Sequence, residues 1–486
     1  MKSITDLEPK IVWQNFNDIC KIPRPSKKEE KMINFLLNWA KTNNIEAKKD
    51  DAGNILMKKP ATKGMENRKP IILQSHIDMV CEKNNDTNHN FEKDAIQPFI
   101  DGEWVKAKGT TLGADDGIGV AAQMAILVSD NITHGPIEAL FTVDEETGLT
   151  GAFALKPNFF DSKILLNLDS EDEGEIFIGC AGGVDTTAKF YYETRNTNST
   201  HKGFRIDVKG LKGGHSGDEI DKGLGNANKI LNRFLWKATH EHDLRLNYFD
   251  GGNLRNAIPR EAYAIFALPE HYIKEFNKFF DKLSKEIKNE FSITEPNMVI
   301  TLTPVETPKT VIDFKTQNNL LTSIYACPHG VISMSQKMKG MVETSTNLAS
   351  VKFVDDDKII IATSQRSDTM SARRYVANMV ASVFTLAKAD VSHSDGYPGW
   401  TPNPNSEILK IAENTYTKLF NKKPVVRSIH AGLECGLFLE KYPDLDMISF
   451  GPTLRDVHSP QERINIKTVE KFWEFLINIL QNAPQQ

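Results

Sequence analysis

Three short apolar runs in this chain each end in acidic residues. Ile71–Ile77 runs into Asp78, Ile137–Val143 into Asp144, Glu145 and Glu146, and Ile164–Leu168 into Asp169. Runs of this length and composition read as buried strands, and the small-residue segment after Asp116 reads as a helix between the first two. Strands alternating with helices predict an α/β fold with a mostly parallel sheet covered by helices on both faces. Ligands of such sheets sit beyond the carboxyl ends of the strands, which is where Asp78, Glu145 and Asp169 fall. Like charges held close disfavour one another's ionised forms unless a cation neutralises them. A solvated turn closed by Gly148 is the other reading of Asp144–Glu146, so the remaining residues must decide.

At 486 residues the chain is long enough for two domains. The texture changes near Tyr191 to an α+β pattern of strands and amphipathic helices, and strand–helix alternation returns after the loop "DGYPGWTPNP". This predicts an α/β domain in two parts, residues 1–187 and 393–486, around an inserted α+β domain at 188–392. The net charge of −5 is spread along the chain, so nothing argues for nucleic acid or an anionic membrane as partner. No apolar run is long enough to span a bilayer. Five scattered cysteines without a C-x-x-C pair, and an N-terminus without an apolar signal region, predict reduced thiols in the cytoplasm.

A hydrolytic metal site needs imidazole and carboxylate donors with a position left open for water. "SHIDMV" places His76 and Asp78 at i, i+2 on a strand, on one face, where Asp78 would fix the tautomer of a metal-bound His76. "GADDGIG" places Asp115 and Asp116 at a helix start, where one aspartate is an ordinary first-turn charge and a second needs a reason. Together His76, Asp115, Glu146, Asp169 and His458 give two metals five ligands if Asp115 bridges them. Glu145, beside a ligand and not needed as one, is left to take a proton from water. Rival readings fail on detail: Ser216 in "GGHSG" lacks the nucleophile-elbow frame, "GLGNAN" lacks a dinucleotide fingerprint, and no P-loop occurs.

"SHIDMV", "GTTLGADDGIGVA", "DEETGLTGA", "NLDSEDEGE", "GGHSG", "RNAIPRE" and "GPTLRDVHSP", in that order, resemble the M20 family of dinuclear zinc peptidases. "IGCAGG" and "IHAGLECGLF" point to its aminoacyl-histidine dipeptidase branch, and the resemblance runs from "IPRPS" to the last helix. It implies a two-zinc dipeptidase acting on unblocked dipeptides, Xaa-His included, with Co²⁺ or Mn²⁺ as substitutes. It implies a homodimer, an inserted lid domain, and a cis peptide after the bridging aspartate. Carried over by position, His76, Asp115 and Asp169 would hold one zinc, and Asp115, Glu146 and His458 the other. Asp78 would orient His76, and Glu145 would be the general base and later the acid. His215 would stabilise the oxyanion, while Asn256 and Arg366 would grip the substrate's C-terminal carboxylate. Asp116 stands where close relatives are expected to have asparagine, which would add a negative charge beside the bridge. An M20-type aminoacylase or tripeptidase would share these residues, and a non-catalytic peptide-binding relative would have lost some of them.

Overall fold

The computed structural model describes residues 3–355 and 357–486. Two compact units emerge. The first runs to Gly179 and resumes over Trp400–Ser428 and Leu433–Gln486; the second comprises Cys180–Gly399 and Ile429–Gly432. The chain changes unit earlier than 187 because Gly182–Tyr191 is already a strand of the second unit's sheet, paired with Lys358–Ser367. It returns later than 393 because Asp390–His393 pairs with that same strand and Tyr397 bridges to Gly183.

The first unit is built on an eight-stranded mixed sheet. We label its strands β1 (Glu46–Lys49), β2 (Ile55–Lys59), β3 (Ile71–His76), β4 (Ile137–Thr142), β5 (Ile164–Asn167), β6 (Glu175–Cys180), β7 (Val425–Ile429) and β8 (Asp446–Ser449). The spatial order is β1-β2-β4-β3-β5-β8-β6-β7. Its centre, β4-β3-β5-β8, is parallel, and the flanking pairs β1-β2, β2-β4 and β8-β6 are antiparallel. β3, β4 and β5 are buried at every residue, as strands covered on both faces must be. Because β8 pairs with β5, the last part of the chain shares one sheet with the first.

Register sets the site. His76 stands opposite Thr142, and Gln74 opposite both Leu140 and Asn167. The residues that follow these strands therefore leave the sheet along one rim. The helix Ala114–Val128 is buried along most of its length and packs on β3. A side chain at Gly119 would place its Cβ 2.3 Å from Asp116 Oδ1 and 2.4 Å from Ser75 Oγ, so only glycine permits this approach. A separate four-stranded sheet pairs Leu454–Arg455 with Arg463–Asn465, and the latter with Trp104–Ala107. His458 sits in the connection between the first two strands.

The second unit is a nine-stranded sheet in which the described strands pair antiparallel, with helices Ala227–Glu241, Ile273–Glu290, Phe314–Ala326 and Met370–Leu386. Its core is aromatic at the centre. Fully buried Phe276 lies 5.7 Å from Phe266, 5.9 Å from Phe279 and 6.5 Å from Phe204, ring centre to ring centre. Among the described residues no helix is long and apolar enough to cross a membrane. The five cysteines form no disulfide. Phe276→Ala is expected to destabilise the protein by about 3–5 kcal/mol, through lost contacts and a cavity, read as a lower urea midpoint.

Candidate metal centre

At the rim of β3, β4 and β5 the sequence-predicted residues converge. His76 Nε2 lies 3.1 Å from Asp115 Oδ1 and 3.4 Å from Asp169 Oδ1, while its Nδ1 is 3.3 Å from Asp78 Oδ1. His458 Nε2 lies 3.2 Å from Asp115 Oδ2 and 3.0 Å from Glu146 Oε2. The two oxygens of Asp115 thus face two different imidazoles. Donor atoms of His76, Asp115 and Asp169 lie within 4.8 Å of one another; so do those of Asp115, Glu146 and His458, and those of His76, Glu145 and Glu146.

Local backbone produces this arrangement. Gly113 takes φ 69° ahead of the helix, and Asp115 and Asp116 are non-helical and joined by a cis peptide bond. The three consecutive acids of "DEE" separate in function. Asp144, at φ 49°, turns its carboxylate back to the hydroxyls of Thr147 and Thr150. Glu146 faces His458, and the N–H groups of Glu145 and Glu146 donate to the two oxygens of Asp78 at 3.0 and 3.2 Å. Asp78 therefore anchors the acidic turn while its Oδ1 stands 3.3 Å from His76 Nδ1.

Sequence reading missed the residues that hold this frame. Glu462, 2 % exposed, accepts from the N–H groups of Leu112, Gly113 and Ala114 at 2.7–3.0 Å and from Asp115 N–H at 3.4 Å. It ties the segment carrying Asp115 to the loop carrying His458. Arg24 donates to the carbonyls of Ile77, Asp78 and Gly113. Ser26 and Glu29 have the spacing of a helix capping box, yet the Ser26 hydroxyl donates to Asp78 Oδ2 at 2.7 Å and Glu29 accepts from Asp144 N–H at 3.0 Å. The helix Glu30–Thr42 starts with no side-chain cap. Both side chains serve the site instead. Neither "IPRPS" nor "SPQER", polar as sequence, marks these residues as buried.

Electrostatics test whether these residues fit a metal. Burial, and then the Asp115 charge, push Asp169 up to about 8, and burial raises Glu145 and Glu146 as well. Hydrogen bonds from His458 and His76 hold Asp115 low against its own burial. Contact with Asp115 and then Glu146 drives His458 up to about 11. The cluster draws positive charge towards itself, and a divalent cation supplies it while leaving the imidazoles neutral as ligands. Glu146 Oε1 is buried without a hydrogen-bond partner, an acceptor suited to a cation. The donor set, imidazole nitrogen with carboxylate oxygen, fits zinc and its neighbours. Asp116 is different. Burial, then the Asp169 charge, raises it well above the carboxylate range, and its Oδ1 accepts from Gly119 N–H.

His215, Asn256 and Arg366 lie in the second unit. His215 Nδ1 accepts from the N–H groups of Gly217 and Asp218 at 3.3 and 3.2 Å, which leaves its proton on Nε2. Burial, and then the Arg366 charge, lower the pKa of His215. They also lower that of His430 to about 3, and His430 Nε2 meets Ser345 Oγ at 2.8 Å. Asn256 and Arg366 line one cavity of about 200 Å³.

The family model "Peptidase family M20/M25/M40" matches residues 72–482. The chain belongs to peptidase family M20. It is similar to the cytosol non-specific dipeptidase of Escherichia coli (strain K12), with 46 % identity over 484 residues covering 100 % of both chains. Its structure resembles that of aminoacylhistidine dipeptidase from Vibrio alginolyticus at TM-score 0.92 and 45 % identity, covering 100 % of this chain and 99 % of that one. Aminopeptidase PepT from Bacillus cereus ATCC 10987 shares the fold at TM-score 0.58 and 18 % identity, covering 98 % of this chain and 99 % of that one. Within this family the positioning role of Glu462 is open to direct test. Glu462→Gln turns an amide group towards the N–H donors, and the affinity for divalent metal is expected to fall roughly 10–100-fold in competition with a chromophoric chelator.

Proposed function

We propose that this chain is a two-zinc dipeptidase that hydrolyses unblocked dipeptides, Xaa-His among them. The observation that carries the reading is Asp115, whose Oδ1 and Oδ2 lie 3.1 and 3.2 Å from the Nε2 atoms of His76 and His458. A carboxylate so placed would be able to serve two cations, one beside each imidazole. Full-length similarity to a cytosol non-specific dipeptidase and to an aminoacylhistidine dipeptidase supports the substrate class.

In this reading His76, Asp115 and Asp169 would hold one zinc, and Asp115, Glu146 and His458 the other, with Co²⁺ or Mn²⁺ able to substitute. Bound there, the cation pair supplies the acidity that makes water nucleophilic near neutral pH and withdraws charge from the scissile carbonyl. Asp78 accepts the Nδ1 proton of His76 and fixes the tautomer whose Nε2 lone pair faces Asp115 and Asp169. Glu145 takes the proton of the attacking water and returns it to the leaving amine. His215 offers its Nε2–H to the developing oxyanion. Asn256 and Arg366 grip the C-terminal carboxylate, for which a guanidinium fork is well shaped. The second unit serves as the lid, and the enzyme works as a cytoplasmic homodimer. Four of the five cysteines are buried and none forms a disulfide, which agrees with a reducing compartment.

The deciding experiment compares a free and an N-acetylated Xaa-His dipeptide, using chelator-stripped protein before and after zinc is added. Stripped protein is expected to be inactive, and zinc to restore cleavage of the free dipeptide alone. Cleavage of only the acetylated peptide would transfer the reading to an aminoacylase. Loss of neither substrate, in protein that binds zinc normally, would remove the dipeptidase reading. A second test addresses the base. Glu145→Gln is expected to lower kcat roughly 10²–10⁴-fold while zinc content and substrate KM stay near normal, and near-normal turnover would refute the role.

A further inference from the structure

The loop "DGYPGW" contains a tyrosine that none of the roles above uses. Tyr397 lies in the second unit beside Arg366, and the backbone explains how they meet. Arg366 is paired across the sheet with Gly183. On the far side of Gly183 lies Tyr397, joined to it by reciprocal hydrogen bonds: Gly183 N–H to Tyr397 O at 3.1 Å and Tyr397 N–H to Gly183 O at 2.9 Å. Arg373 donates to both carbonyls and pins this junction.

The phenol then crosses directly over Gly183. A Cβ on that residue would lie 2.7 Å from Cε1, Cζ and the hydroxyl oxygen of Tyr397, and a Cβ on Gly432 would lie 2.8 Å from Cε2 on the ring. Two positions without side chains therefore flank the ring, and a larger residue at 183 would occupy its path. The crossing ends at Arg366, whose Nη1 donates to the Tyr397 hydroxyl at 3.0 Å. Arg366 is 7 % exposed, and its Nε is buried without a partner. Burial raises the Tyr397 pKa, so the phenol is neutral. A neutral acceptor fixes one edge of the guanidinium without neutralising its charge, unlike the carboxylate that Arg255 meets in Asp185 at 2.9 Å on the same cavity.

We infer that Tyr397 is a positioning residue for substrate recognition: it holds Arg366 so that the guanidinium, fully charged, receives the C-terminal carboxylate of the dipeptide. This rests on the reading of Arg366 given above, and the test separates the two. Zinc-loaded enzyme is assayed on Ala-His and on its C-terminal amide, in wild type, Tyr397→Phe, Arg366→Lys and the double variant. Tyr397→Phe removes one oxygen and keeps the ring. It is expected to raise KM for the free acid about tenfold, leave kcat within about twofold, and leave the amide unaffected, so that preference for the acid shrinks about tenfold. In the Arg366→Lys background the same change is expected to have no further effect, because the two act as a unit. Equal changes for acid and amide, or a fall confined to kcat, would make Tyr397 a packing residue and overturn the inference. Preserved acid preference in Arg366→Lys would overturn the reading of Arg366 itself, and the role of Tyr397 with it.

Discussion

Negative charge gathered in a buried place is the constraint on which the first unit depends. Asp78, Asp115, Glu145, Glu146 and Asp169 all lie near His76, and little solvent reaches them. Such a cluster repels itself, and burial first, then that repulsion, raises the pKa of Asp169, Glu145 and Glu146. A fold can tolerate this only if the carboxylates are held by something other than one another. Here backbone N–H groups and hydroxyls do much of that work. Asp78 receives the N–H groups of Glu145 and Glu146 and the Ser26 hydroxyl, and Asp144 receives the hydroxyls of Thr147 and Thr150. The parallel strands set the level at which these groups emerge, because their register fixes His76 beside Thr142 and Gln74 beside Asn167.

Much of this was legible in the sequence, for a simple reason. A strand buried on both faces must be apolar throughout, so the abrupt change to acid marks its end and hence the rim of the sheet. His76, Asp115, Glu146, Asp169 and His458 each stand at such a change or in a motif beside one. The supporting residues carry no such signature. Glu462 reads as an ordinary charge near the chain end, and only the fold reveals that it gathers amide hydrogens from the Leu112–Asp115 segment. Ser26 and Glu29 show the opposite failure. Their spacing imitates a capping box, and tertiary partners, Asp78 and Asp144, outcompete the local ones. The limits of the two units were blurred for a related reason: strand texture alone does not say to which sheet Gly182–Tyr191 belongs.

The return of the chain to the first unit also has a physical account. β8 supplies a central strand, and Glu434, just beyond the short excursion Ile429–Gly432, supplies a polar stitch. Glu434 Oε2 accepts from Gln74 Nε2 at 2.6 Å and from Thr142 Oγ1 at 2.7 Å. Gln74 Oε1 accepts from Asn167 Nδ2 at 2.6 Å, and Asn167 Oδ1 accepts from Ser449 Oγ at 2.5 Å. One chain of hydrogen bonds thus crosses β4, β3, β5 and β8 just below the rim. Polar side chains inside an otherwise apolar sheet are costly unless satisfied, and a nearly complete network resists any slip of one strand against the next. A slip of one residue would send His76 to the opposite face of the sheet. The stitch therefore does for strand register what Glu462 does for the Asp115 segment: it converts a donor set scattered from residue 76 to residue 458 into a geometry fixed to within a hydrogen-bond length.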